Sequence, residues 1–192
     1  RVLLTRVRPY LPGLDITRNS VRYIPQPNET IDYLTLSDYL SAGGTRTSLG
    51  DLRQYRGELL EGLELDDAPR YMEWLTLQRE KLRRAVLVAL RSLRRTLADK
   101  KLWSAGAEAT AHWLTVDEVD EEAVRWQLQF LAAQGQITAA RQAYAAFRNS
   151  LWDQWGLEPE AATQALVKEL DDLGEQTTTL LLPRLNPLGA LS

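Results

Sequence analysis

The 192 residues predict an all-α domain, a bundle of stacked antiparallel helices, preceded by a helix end and one short β-hairpin. Three observations predict it. Apolar residues recur at i, i+3 and i+4 through most of the span 35–173, the spacing of a helix with one buried face. Glycines and prolines punctuate that span between the periodic segments. "LDITRNSVRYIP" at 14–25 breaks the pattern, with Leu14, Ile16 and Thr17, a polar turn Arg18-Asn19-Ser20, then Val21, Tyr23 and Ile24. Asn and Ser favour turns because their side chains bond local backbone groups.

Taken in order, "RVLLTRVRPYLPG" sets Val2, Leu3, Val7 and Tyr10 or Leu11 at helical spacing. Arg1, Thr5 and Arg8 lie on the other side, and Pro12-Gly13 stops the helix. The hairpin follows, then "PQPNET" at 25–30, a loop by its prolines and polar residues. "TLSDYLSAGG" is a short helix ending at Gly43-Gly44, and "SLGDLRQYRGELLEG" another, capped by Thr47 or Ser48. The longest helix starts after "DDAP". Asp66, Asp67 or Ala68 caps it, and Pro69 sits in the first turn, where a missing N–H costs nothing. Tyr71, Trp74, Leu75, Leu82, Val86, Leu90, Leu93 and Leu97 form its stripe, and Arg79, Lys81, Arg83, Arg84, Arg91, Arg94 and Arg95 mostly fill the rest. Such a basic helix reads first as a solvated face paired with acidic neighbours, and otherwise as a membrane-surface or nucleic-acid helix.

From residue 100 four helices follow: "LWSAGAEATAHWL", "DEEAVRWQLQFLAAQG", "ITAARQAYAAFRNSLWDQW" and "EPEAATQALVKELDDLG". Ala107, Ala111, Ala132, Ala139, Ala143 and Ala146 let helices approach, and Trp113, Trp126, Phe130, Tyr144, Phe147, Leu151 and Trp155 fill the gaps between them. Interlocked small and large residues are the logic of a helical-hairpin array. "LAAQGQITAARQAYAAF" resembles the second half of a tetratricopeptide unit, with Gly135 in the turn and Ala139 or Ala140 at the close contact. The tail "GEQTTTLLLPRLNPLGALS" loses the helical period and reads as a linker.

Composition narrows the function. There is no cysteine, so a disulfide framework and thiolate zinc sites are excluded, and a reducing cytoplasm fits. No apolar run approaches the roughly 20 residues that span a bilayer. The chain opens at Arg1 and reads as beginning inside an element of something longer. Net charge is −3, unevenly spread: residues 1–25 carry five arginines and one aspartate, +4, leaving −7 for the rest. That asymmetry suits an end that meets nucleic acid on a body that does not.

No catalytic constellation emerges, and the chain does not read as an enzyme. His112 is the sole histidine and reads as a helix-face residue. "DEVDEE" at 117–122 concentrates carboxylates, but an acidic first turn complements a helix dipole without any ligand. "AGGT" at 42–45 lacks the lysine and strand of a phosphate loop, so no cofactor is expected. The six tryptophans, at helical spacing, read as core.

"QYRGELLEGLELDDAPRYMEWLTLQREKLRRAVLVALRSL" resembles the opening of the bacterial transcriptional activator domain, in Tyr55-Arg56-Gly57-Glu58-Leu59-Leu60, Trp74, Arg79 and Leu82. "DEVDEEAVRWQLQFLAAQGQITAARQAYAAFRNSLWDQWGLEPE" resembles its second half: an acidic helix start, a Gly turn, Ala-x-x-x-Tyr, then Leu151 and "GLEP". The family usually holds a proline where Glu118 stands. The resemblance covers roughly residues 30–173 and implies a tetratricopeptide-like bundle. In that family, which includes antibiotic-regulatory-protein type activators, a response-regulator-type winged helix precedes the bundle. Residues 1–25 resemble its end, a recognition helix followed by the wing.

The resemblance therefore implies three parts: 1–25 the winged-helix end, 26–174 the activator domain, and 175–192 a linker. It implies transcription activation, with DNA contacts by Arg1, Thr5, Arg6, Arg8, Arg18, Asn19 and Arg22. The body would contact RNA polymerase or another protein, or form a homodimer, in the cytoplasm and away from membranes. The alternative is a helical-repeat scaffold that binds a peptide or protein without touching DNA.

Overall fold

The computed structural model describes residue 6, residues 9–41 and residues 48–181. β1 (Leu14–Ile16) pairs antiparallel with β2 (Val21–Tyr23) in the register Leu14↔Tyr23, Asp15↔Arg22, Ile16↔Val21. Among the described residues seven helices follow: α1 (Asp32–Ser41), α2 (Leu49–Leu52), α3 (Pro69–Asp99), α4 (Trp103–Val116), α5 (Glu121–Ala133), α6 (Ile137–Trp155) and α7 (Ala161–Leu181). The expected fold class holds: a helical bundle behind a two-stranded hairpin. Most of the helix expected over 1–11 lies outside the described residues, apart from Arg6, which is helical, and the turn at Pro9-Tyr10.

Each helix from α3 onward packs on the next, and α5 also packs on α7, while α1 and α2 rest on α3. Two apolar clusters result. The first gathers Leu36, Leu52, Tyr55, Val86, Leu90 and Trp113 around α3. The second joins Val124, Leu128, Ala140 and Leu170, with Tyr144 and Phe147 packed against them. α5 serves both, presenting Ala123 to one and Val124 to the other. Neighbouring side chains on a helix point about 100° apart, so one helix can carry two faces.

The helix ends are set by local chemistry. Ser48 and Asp51 form a reciprocal capping box at α2. Pro69 opens α3 without a side-chain cap. Asp120 caps α5, its Oδ1 accepting from the N–H groups of Glu122 (2.9 Å) and Ala123 (3.3 Å), so the acidic run does cap the helix. Between α5 and α6 the Gln136 N–H reaches back to the Leu131 carbonyl (2.9 Å) with Gly135 at φ 75°, a Schellman ending.

Several expectations need correction. The helix expected over 48–62 stops at Leu52. Residues 53–65 form a loop with Leu60 at φ 51°. Arg79 on α3 fixes it, donating to the carbonyls of Leu59 (2.8 Å) and Leu60 (2.6 Å) while pairing with Glu58 (3.5 Å). Tertiary bonds to those carbonyls replace the intrahelical ones. Tyr71 and Trp74 leave the buried stripe of α3 and stack on one another in the open, ring centroids 5.4 Å apart. The close contact on α6 is made by Ala140, with Ala139 and Ala143 half-buried and Ala146 exposed. α7 runs to Leu181, into the stretch 175–192 that reads as a linker. Gly174 costs a helix only about 1 kcal/mol, too little to stop α7 there.

Candidate nucleic-acid interface and docking surface

The basic hairpin is short and tightly tied. The Thr17 N–H donates to the Ser20 carbonyl (2.9 Å), and the Thr17 hydroxyl accepts from the Ser20 N–H (3.0 Å). Arg18 and Asn19 are left at the tip, both exposed and neither at positive φ. At the other end the Ile24 N–H donates to the Gly13 carbonyl (2.8 Å). A Cβ on Gly13 would lie 2.0 Å from the Ile24 carbonyl oxygen, so only glycine lets the strands meet there.

Register decides the faces. Leu14, Ile16, Val21 and Tyr23 point one way, Asp15 and Arg22 the other. The Tyr23 hydroxyl donates to the Glu29 carboxylate, which also accepts from the Gln26 N–H (3.0 Å). The Tyr23 hydroxyl, then the Gln26 amide, hold the Glu29 carboxyl below its usual range. The loop after the hairpin is thereby fastened to its apolar face. Arg6, Arg18 and Arg22 are exposed and pair with no acidic group among the described residues. Arg1, Thr5 and Arg8, the remaining arginines and threonine expected at this interface, lie outside the described residues.

The basic stripe of α3 behaves differently. Arg83 pairs with Asp117 (2.9 Å), Arg84 with Glu80, and Arg91 with both Asp120 (2.8 Å) and Glu122 (3.2 Å). Arg94 is buried, its guanidinium 4.2 Å from the Trp126 ring centre and 3.3 Å from Glu122. Burial lowers its pKa first, with Glu122 opposing. Asp120 also accepts from the Trp113 indole N–H (3.1 Å). Arg91 and Arg94 tie α3 to the start of α5 and Arg83 ties it to the turn before, so this part of the stripe is internal structure, while the Arg84–Glu80 pair lies within α3 and Lys81 and Arg95 stay exposed. His112 is structural too: its Nε2 donates to the Leu52 carbonyl (3.0 Å) at the end of α2.

A second surface escaped the sequence reading. α6 has 19 residues against 13 in α5, so at 1.5 Å per residue it outruns its partner by about 9 Å. The overhang leaves Trp152 and Trp155 half exposed, though helical spacing suits them to a core; Leu151, one residue before Trp152, is buried. Trp155 and Val119 together wall two adjoining hollows of about 410 and 450 Å³ beside the α4–α5 turn. Comparing the lengths of neighbouring periodic segments was the signal available for it. A third hollow, about 290 Å³, lies between α1 and the loop held by Arg79. It includes Tyr55, whose hydroxyl burial and then Glu58 hold in the protonated form.

Among the described residues no group of acidic or histidine side chains is placed to hold a metal ion, and no helix is long and apolar enough to cross a membrane. What the fold presents is an array of helical hairpins following a basic β-hairpin. The family model for the bacterial transcriptional activator domain matches residues 45–171, about two thirds of the chain. The chain belongs to that family, one of transcription regulators and not of enzymes. The match opens just before α2 and closes within α7, so hairpin and α1 precede it. Comparison with curated proteins returns no match.

Proposed function

We propose that this chain acts in bacterial transcription activation, its hairpin serving as the wing of a winged helix on DNA and its helical body docking protein. Membership of the activator family supports the setting. The observation that carries the DNA reading is the hairpin itself: Arg18 and Arg22 stand in solvent and form no ion pair among the described residues, even with Asp15 across from Arg22, while the arginines of α3 are mostly paired. Free guanidinium groups on a rigid two-stranded projection suit phosphate contact, which fixes register without reading sequence. Asn19 beside Arg18 adds a neutral donor. Arg1, Thr5, Arg6 and Arg8 belong to the helix that would enter the major groove, where a guanidinium reads guanine by two hydrogen bonds. RNA polymerase or a second copy of the chain are the protein partners this role suggests, in the cytoplasm.

The test is a salt titration of the full-length protein on specific and random duplexes. Arg18→Ala and Arg22→Ala should each weaken binding by a similar factor on both duplexes. Each should lower the slope of log affinity against log salt by about one unit, the loss of one phosphate contact. Arg8→Ala should instead change sequence preference. If affinity and slope are unchanged in both wing variants, the hairpin is a structural cap and the scaffold reading replaces this one.

A further inference from the structure

The hollows beside the α4–α5 turn share Val119 and Trp155 and so form one groove. Its apolar part is Leu114, Val119, Leu151, Trp155 and Leu157, with Trp155 48% and Leu157 56% exposed. Its charged part is five carboxylates, Asp117, Glu118, Glu121, Glu158 and Glu160, against the single cation Arg83. Arg83 is already paired with Asp117 at 2.9 Å. Glu121 is committed to the start of α7, accepting from the Glu160 N–H (2.8 Å) and the Thr163 hydroxyl. Glu158 pairs with the exposed Arg148 (3.4 Å), Glu160 with the half-buried Arg125 (2.9 Å), and Glu118 pairs with no described cation. An indole left half in water beside an apolar floor is a typical anchor position at an interface.

We infer that this groove binds a basic amphipathic segment of a partner protein, apolar side chains on Trp155 and Leu157 and lysines or arginines over the carboxylate rim. The charge argues for this occupant. Five carboxylates against the pairing cations Arg83, Arg125 and Arg148 leave the rim net negative with Glu118 unpaired among the described residues, which favours cationic flanks over nucleic acid or anionic lipid. The size argues for a segment: hollows of these volumes seat a few side chains, as in recognition of a helix by a groove. The inference rests on reading the helical body as the protein-docking part of a regulator. Its test uses no DNA, so its failure is distinguishable from failure of the wing.

The probe is a synthetic helical peptide with leucines at i, i+3 and i+4 and lysines flanking them, alongside its glutamate-flanked counterpart. Both are titrated into the isotope-labelled chain and followed by amide and indole NMR signals. The lysine peptide should shift the Trp155 indole and the amides of 114–121 and 151–160, with affinity falling as salt rises. Trp155→Ser and Glu118→Lys should each weaken it roughly tenfold or more. Glu118 is exposed, so its variant tests the groove even if Trp155→Ser fails to fold. Binding unaffected by Glu118→Lys, equal binding of the glutamate peptide, or shifts confined to other helices would overturn the inference. So would a concentration-dependent dimer in sedimentation equilibrium that Glu118→Lys abolishes, since the occupant would then be a second copy.

Discussion

Gly106 and Lys101 show how single residues set the contacts of the bundle. A Cβ on Gly106 would lie 2.4 Å from the Phe130 ring, so α4 reaches α5 only because that side chain is missing. Gly106→Ala should overpack the contact and cost about 1–3 kcal/mol, read as a lowered midpoint in thermal or urea unfolding. An unchanged midpoint would mean that the ring simply turns aside. Lys101 stands at φ 55° between α3 and α4, and the Leu102 N–H reaches back to the Leu97 carbonyl (2.9 Å). This is the ending that Gly135 makes between α5 and α6, with lysine in the left-handed position. Lys101→Gly should therefore stabilise the protein by about 1 kcal/mol, within the cost of left-handed backbone for an L residue. At this scale the sequence was partly legible. Asp120, Ser48 and Gly135 are capping residues by type and place. The contact alanine was not so clear: Ala139 and Ala140 are adjacent, and only the packing of α6 on α5 selects Ala140.

Elements were legible where one face is buried along their whole length, and illegible where a partner ends early or another side chain takes over the backbone. The loop after α2 is the second case. "RQYRGELLEG" has helical residues and spacing, yet Arg79, some 20 positions away, takes two of its carbonyls. Arg79→Ala should release that loop and increase amide exchange over 58–63, leaving α5 to α7 as protected as before. Equal protection in the variant would show that Tyr55 and Leu59 hold the loop alone. The overhang of α6 is the first case: periodicity continues to Trp155, but the neighbour that would cover that face has already begun at Glu121. Within the basic helix α3, periodicity could not separate paired from free cations, because pairing depends on which acidic helix start lies alongside.

Across the whole molecule the charge is divided, basic at the hairpin and acidic over the body, and the structure gives that division a form. The hairpin's Arg18 and Arg22 make no ion pair among the described residues, while the body uses several of its arginines as internal ties and turns carboxylates outward around a tryptophan groove. On the DNA reading proposed above, such a layout would confine an anionic duplex to the hairpin, since an acidic surface repels it. Amide exchange of the full-length protein with and without duplex DNA tests that division most directly. Protection should appear over residues 13–24 and leave α3 to α7 unchanged. Protection along α3, with the hairpin exchanging as in the free protein, would contradict it.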